Sequence, residues 1–262
     1  MVQQSTPQEP PALSLVIPAF DASSVIARSL EEIRDMVAVD AEATEIVVVD
    51  DGSTDDTATV VESAAAGWPG GSTLRLLRHR HNRGKGAAVR TGMIAARGAH
   101  RLFTDADLAY GVEAIPRMRA ALDAGADVAV GVRGRHRGWK RRVAGWAFAR
   151  AVSAHGLSAG PDPQCGIKAV TADAAGVLFG VGRVDGFAFD VEILHLASRW
   201  GLEVARVPVA ERGGARHSSV SMLRDAPIML RALGQIRDGA AAGDYEDAGP
   251  KPRYRKGLPT DV

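Results

Sequence analysis

One cysteine, Cys165, serves the whole 262-residue chain. A single thiol excludes an intramolecular disulfide and a zinc site built from cysteines, and it fits a reducing compartment. No run reaches the ~18 to 20 consecutive apolar residues of a membrane span. The start, MVQQSTPQEPPA, lacks a charged segment followed by an apolar core, so it does not read as a signal peptide. Together these absences predict a cytoplasmic protein, one still free to lie on the inner face of a membrane. Net charge is +1, which gives no electrostatic reason for a nucleic-acid partner. No internal repeat is visible. The glycine run at Gly84 is no P-loop, because Lys85 is followed by Gly86 rather than Ser or Thr. No GxGxxG follows the first strand, which leaves a dinucleotide fold without support.

What is present is a globular composition, 46% hydrophobic and 24% charged, enough apolar material for a core. Residues 1–12 are Gln/Pro-rich and read as a disordered tail; residues 239–262 carry Gly, Pro and mixed charge and read as a flexible one. Between them, apolar runs alternate with helical patterns. LSLVIP (13–18), EIVVVD (45–50), LRLLR (74–78), HRLFTD (100–105) and ADVAVG (126–131) read as strands. Segments 23–37, 53–66 and 84–97, and one after Glu113, read as helices. This rhythm predicts a mainly parallel sheet with helices on both faces. The domain is expected over 13–238, with one half at 13–131 and a less regular half at 132–238. In such sheets ligands sit beyond the carboxyl ends of the strands, where Asp50, Asp51, Asp105 and Asp107 all fall.

Two readings stay open for the adjacent Asp50 and Asp51 in VVVDDGSTDD (47–56). Asp51, with Ser53 and Asp55, fits an N-cap set for the next helix. Alternatively, a carboxylate here accepts hydrogen bonds from a nucleobase or ribose. In FTDADLA (103–109), Asp105 and Asp107 either present two carboxylates to one hard cation or are solvated loop acids. NRGKGAAVRTGM (82–93) opens a helix, either as a phosphate-binding turn or as a start where glycine permits close packing.

In order, VIPAF (16–20), VVVDDGSTDDT (47–57), NRGKGAAVRTGM, FTDADLA, DPQCGIKAV (162–170), GFAFDVEIL (186–194) and GGARHSSVSM (213–222) resemble the family 2 glycosyltransferases. The resemblance spans roughly residues 13–238 and is strongest to the polyprenyl- and dolichyl-phosphate glucosyltransferase and mannosyltransferase group. It implies a GT-A fold whose 13–131 half binds a nucleotide sugar. It implies that Pro18, Phe20 and Asp50 or Asp51 hold the base and ribose, and that Lys85 lies near the nucleotide. Asp105 and Asp107 would hold Mg²⁺ or Mn²⁺ on the diphosphate, with His217 as a candidate further ligand. The chain departs from the family pattern at Asp21-Ala22, where Asn-Glu is usual, at Ala109, where mannosyl relatives have Gln, and at Gly214-Ala215-Arg216, where Gly-Ser-Lys or Gly-Ser-Arg is usual.

On the acceptor side, Arg133, Arg135, His136, Arg137, Lys140, Arg141 and Arg142 cluster ahead of the amphipathic run RVAGWAFARAV (142–152). The cluster reads as a solvated loop or as a dock for a phosphate head group at an anionic surface. The resemblance points to Arg133, Arg141, Arg142 and Arg216 on the acceptor phosphate and to Asp162 and Gln164 lining the sugar or acceptor site. It makes Asp190 the general base; helix capping is the structural alternative for that residue. Cys165 reads as packed. The expected function is inverting, metal-dependent transfer of a hexose, glucose from UDP-glucose, to a polyprenyl phosphate. The alternatives are GDP-mannose as donor, a soluble phosphorylated acceptor, or a nucleotide-sugar-binding protein without catalysis.

Overall fold

In the computed structural model, β2 (Thr44–Asp50) is buried at all seven positions, as a strand covered on both faces must be. The structure describes residues 10–39, 42–134, 139–158, 160, 162–212 and 222–246, with side chains throughout except at 139–144 and 222–226. Strand β1 (Leu13–Ala19) leads into α1 (Ser23–Val39), and β2 into α2 (Thr57–Ala66). Strand β3 (Thr73–Arg78) is followed by α3 (Lys85–Ala95), β4 (His100–Phe103) by α4 (Ala114–Asp123), and β5 (Val128–Arg133) by α5 (Trp139–Ala154). Then come β6 (Lys168–Thr171), α6 (Ala172–Val181), α7 (Phe189–Arg199), β7 (Val204–Val209) and α8 (Met222–Ala242).

The seven strands form one sheet in the order β3-β2-β1-β4-β6-β5-β7. All neighbours are parallel except at β6, which runs antiparallel between β4 and β5. The carboxyl ends of the other six strands therefore share one edge, and the start of β6 joins them there. Alternation along β1 sorts the core: Leu15 and Ile17 pack with α1, α2 and α4 on one face, while Val16 packs with α3, α6, α7 and α8 on the other. This is the expected α/β architecture, a single domain with a mainly parallel sheet covered on both faces.

Two expectations fail locally. The second helix starts at Thr57, not at residue 53, because residues 53–55 are used to tie the first two turns together. Ser53 N–H donates to Asp50 (2.9 Å), Thr54 N–H donates to Asp21 (2.8 Å), and Asp55 accepts from Ser23 N–H (3.0 Å). The tail expected from residue 239 is folded through 246: α8 continues to Ala242, and Tyr245 is buried against the core. Among the described residues, no helix is long and apolar enough to cross a membrane.

Candidate active site

Asp50 closes β2 and Asp51 follows it, both almost without exposure, 0% and 2%. Each has its own cationic or polar partners, which is how two adjacent carboxylates tolerate burial. Asp50 accepts from Ser53 N–H and from Arg78 Nε (3.1 Å). Asp51 accepts the backbone N–H groups of Arg83 (3.0 Å) and Gly84 (2.8 Å), and its Oδ1 lies 2.6 Å from His79 Nδ1. The other ring nitrogen of His79 meets Thr91 Oγ1 on α3 (3.0 Å). Asp51 is thus no cap for α2. It anchors the turn that launches α3 and so joins two of the motifs. The glycines of that turn serve packing: a Cβ on Gly86 would lie 2.7 Å from Phe189 Cβ and 2.9 Å from Gly186 O. Gly84 has φ +100, and a Cβ there would press on Asp185 O.

Beyond β4, Asp105 Oδ1 is 2.5 Å from Lys85 Nζ. Burial opposes the Lys85 charge, but Asp105, Asp190 and Asp107 together hold its ammonium above the ordinary range. Asp107 is pushed up, first by burial and then by the negative charge of Asp105. Two carboxylates that repel across so short a loop fit a cation between them. Two protein carboxylates are what Mg²⁺ typically keeps, with phosphate oxygens and water filling the shell. Among the described residues no group of three or more His, Cys, Asp or Glu side chains is placed to hold a metal ion by itself. The loop itself is fixed by Asp107 accepting from Ala109 N–H (3.1 Å) and by Leu108 at φ 46.

Asp190 lies in the first turn of α7 and does not cap it; the N-cap is Ala188. Its Oδ1 is 2.6 Å from Lys168 Nζ, and both side chains are buried, at 6% and 1% exposure for the two residues. Burial raises the Asp190 carboxyl, while Lys168 and Lys85 pull it down and Asp105 pushes it up again. Lys168 was legible only as a member of the motif DPQCGIKAV (162–170). A lysine inside the apolar run IKAV (167–170) was its one signal. Arg133 and Asp162, both expected on the acceptor, meet each other: Nε to Oδ2 at 2.8 Å and Nη2 to Oδ1 at 2.6 Å. This bidentate pair pins the 162–165 turn to the end of β5. Cys165 is fully buried, as expected, and burial pushes its thiol up.

Phe20 stands 47% exposed at the end of β1, Pro18 is half-buried, and Gln164 is exposed. The side chains of Arg141 and Arg142 and all of Arg216 and His217 lie outside the described residues. So do Arg135, His136 and Arg137, and with them most of the basic cluster. On α5, Trp146 is exposed and Val152 is in the core.

Residues 14–146 match the family model described as glycosyl transferase family 2. Curated relatives include a dolichyl-phosphate β-glucosyltransferase of Dictyostelium discoideum, 30% identical across 86% of this chain and 76% of its own. One of Trichomonas vaginalis is 33% identical across 86% and 72%, and one of Saccharomyces cerevisiae is 30% identical across 86% and 77%. Among solved structures, glucosyl-3-phosphoglycerate synthase of Mycobacterium tuberculosis in complex with UDP superposes with a TM-score of 0.65 at 19% identity. That match covers 88% of this chain and 80% of that one. The same enzyme with Mn²⁺, UDP-glucose and glycerol 3-phosphate gives 0.64, again at 19% identity, over 86% and 78%.

Proposed function

The chain belongs to glycosyl transferase family 2 and is a glycosyltransferase with a GT-A fold; from that premise we propose that it transfers glucose from UDP-glucose to a polyprenyl phosphate of the dolichyl type, with inversion and with a divalent cation. The observation that carries this is the shared field of Lys85, Asp105, Asp107 and Asp190 at one edge of the sheet. The relatives named as dolichyl-phosphate β-glucosyltransferases support glucose and a lipid phosphate. The solved complexes of the fold with UDP and Mn²⁺ support the donor and the metal.

In this reading Phe20 and Pro18 meet the nucleoside. Asp50 and Asp51 act mainly from beneath, by holding Ser53 and the 83–84 turn. Asp105 and Asp107 hold Mg²⁺ or Mn²⁺, which when bound offsets the charge that develops on the departing diphosphate. Lys85 is a second cation at the same place. Asp190 faces the acceptor. A phosphate monoester, with a second pKa of ~6, arrives largely ionised at neutral pH. Asp190 then has more orienting than proton-abstracting to do. Arg133, Asp162, Gln164, Arg141, Arg142 and Arg216 form the acceptor side, with α5 against the membrane surface and the body of the protein in the cytoplasm. His217 is a candidate further ligand to the cation.

The test is calorimetric binding of UDP-glucose and GDP-mannose with and without Mn²⁺, on wild type and Asp107→Ala. Binding is expected for UDP-glucose only, with the cation, and lost in the variant. Transfer to polyprenyl phosphate, with the anomeric configuration read by NMR, completes it. GDP-mannose selectivity, or turnover only on a water-soluble phosphate, would replace the reading.

A further inference from the structure

Lys168 is the most deeply buried cation of the described site, and all its donors are used. Its Nζ gives hydrogen bonds to Asp190 Oδ1 (2.6 Å), Cys165 O (2.7 Å) and Pro163 O (3.0 Å). The ammonium also stands 5.5 Å from the centroid of the Phe103 ring. Phe103 packs on Phe189, the residue before Asp190, with centroids 5.6 Å apart. The position follows from topology. Lys168 opens the antiparallel strand β6 and pairs with Phe103 at the end of β4 and with Val130 on β5. One side chain therefore touches three separate pieces of the site: the end of β4, the 163–165 turn and the first turn of α7. Among the described residues, Asp190 Oδ2 accepts no hydrogen bond, so Lys168 fixes one oxygen of the carboxylate and leaves the other available.

We propose that Lys168 is the positioning residue of the reaction: its ammonium aims the Asp190 carboxylate and locks the Pro163–Cys165 turn to it, so that both acceptor-facing pieces move as one. The inference rests on the reading of Asp190 as the residue that meets the acceptor. The donor half is held by other contacts, those of Asp51 and of Lys85 with Asp105. Loss of Lys168 should therefore separate acceptor use from donor binding.

Lys168→Gln keeps a donor and loses the charge; Lys168→Arg keeps the charge. Both are measured with Asp190→Asn and with the Lys168→Gln/Asp190→Asn double variant. The probes are UDP-glucose with Mn²⁺ for calorimetry and a short-chain polyprenyl phosphate for turnover. Lys168→Gln is expected to bind donor like wild type and to lose about 100-fold in kcat/KM for the acceptor, the scale of a misplaced reacting group. Lys168→Arg is expected to recover about tenfold of that. The double variant is expected to be no slower than Asp190→Asn, since a residue acting through another adds nothing once that one is gone. Equal losses of donor binding and turnover, or a double variant slower by the full product, would overturn the inference and reduce Lys168 to scaffolding. If Asp190→Asn turns over at the wild-type rate, the reading of Asp190 fails first and takes the inference with it. If Lys168→Gln does not fold, Lys168→Arg decides alone: unchanged donor binding with a raised acceptor KM supports the proposal, and parallel loss of both overturns it.

Discussion

Glu45, at the far edge of the sheet from the site, is fully buried and holds four donors: Ser14 Oγ (2.6 Å), Arg75 Nη1 (2.6 Å), Arg97 N–H (2.8 Å) and Arg97 Nε (3.0 Å). Burial alone would raise its carboxyl, yet these bonds together bring it below the ordinary value. A depressed folded-state pKa means stability that is present above the unfolded value and is lost as pH falls through the folded one. Glu45→Gln is expected to cost about 1–3 kcal/mol at neutral pH. The gap from wild type should narrow below pH ~4, since wild type then loses the same ionised contacts; urea melts at several pH values check it. At the other edge, Asp51→Ala would release the N–H groups of Arg83 and Gly84. Donor binding should weaken by about tenfold, roughly 1.4 kcal/mol, while the fold persists; calorimetry with unchanged affinity would separate Asp51 from the donor site. The sequence made Asp50 and Asp51 conspicuous but not their partners. His79 and Arg78 are close in sequence to nothing acidic, and only the β2–β3 register brings them alongside.

Helix α3 was legible as a helix, and close packing was one of the two readings of its glycine-rich start; what the glycines pack against was not legible. They sit against the 184–189 segment, far along the chain, and no local pattern encodes that approach. Ala87 N–H also reaches across to Asp185 O (3.1 Å), and Arg90 pairs with Asp185. The start of α3 and the start of α7 are therefore one packed unit, carrying Lys85 on one side and Asp190 on the other. Gly86→Ala is expected to push them apart and to destabilise by about 1–3 kcal/mol, the usual scale of overpacking. Turnover should fall further than the melting temperature suggests, because Lys85 and Asp190 separate. Thermal melts paired with donor and acceptor KM values test this, and unchanged kinetics at a lowered Tm would mean that the two helices move without disturbing the site. Helix α5 shows the opposite kind of legibility. Its run was read as amphipathic, either interfacial or core-facing; Val152 is in the core and Trp146 stands exposed.

At the scale of the whole molecule, Tyr245, just after α8, is fastened to the first turn of α7. Tyr245 OH donates to Glu192 Oε1 (2.8 Å), and the same carboxylate accepts the N–H groups of Arg183 (2.9 Å) and Val184 (3.0 Å) just before α7. Tyr245→Phe should lose about 1 kcal/mol, and truncation after Ala242 should lose more; both should speed hydrogen exchange at the Arg183 and Val184 amides. Unchanged exchange there would mean that Glu192 suffices alone. The composition-based tail from residue 239 missed this because one buried aromatic outweighs a Gly- and Ala-rich surrounding. The parallel half of the sheet was readable from the β-α rhythm, since each crossover carries its own helix. The reversal at β6 was not, because strand direction leaves no mark on a run of four residues. That reversal also orders events in time. Strands β1 to β4 are complete neighbours once residue 103 has been made, so this half of the sheet can close early on the ribosome. Strand β5 cannot join it: its place is reserved beyond β6, which is translated some 40 residues later. Until then β4 and β5 wait with open edges, and each is a pairing surface that another nascent chain can take.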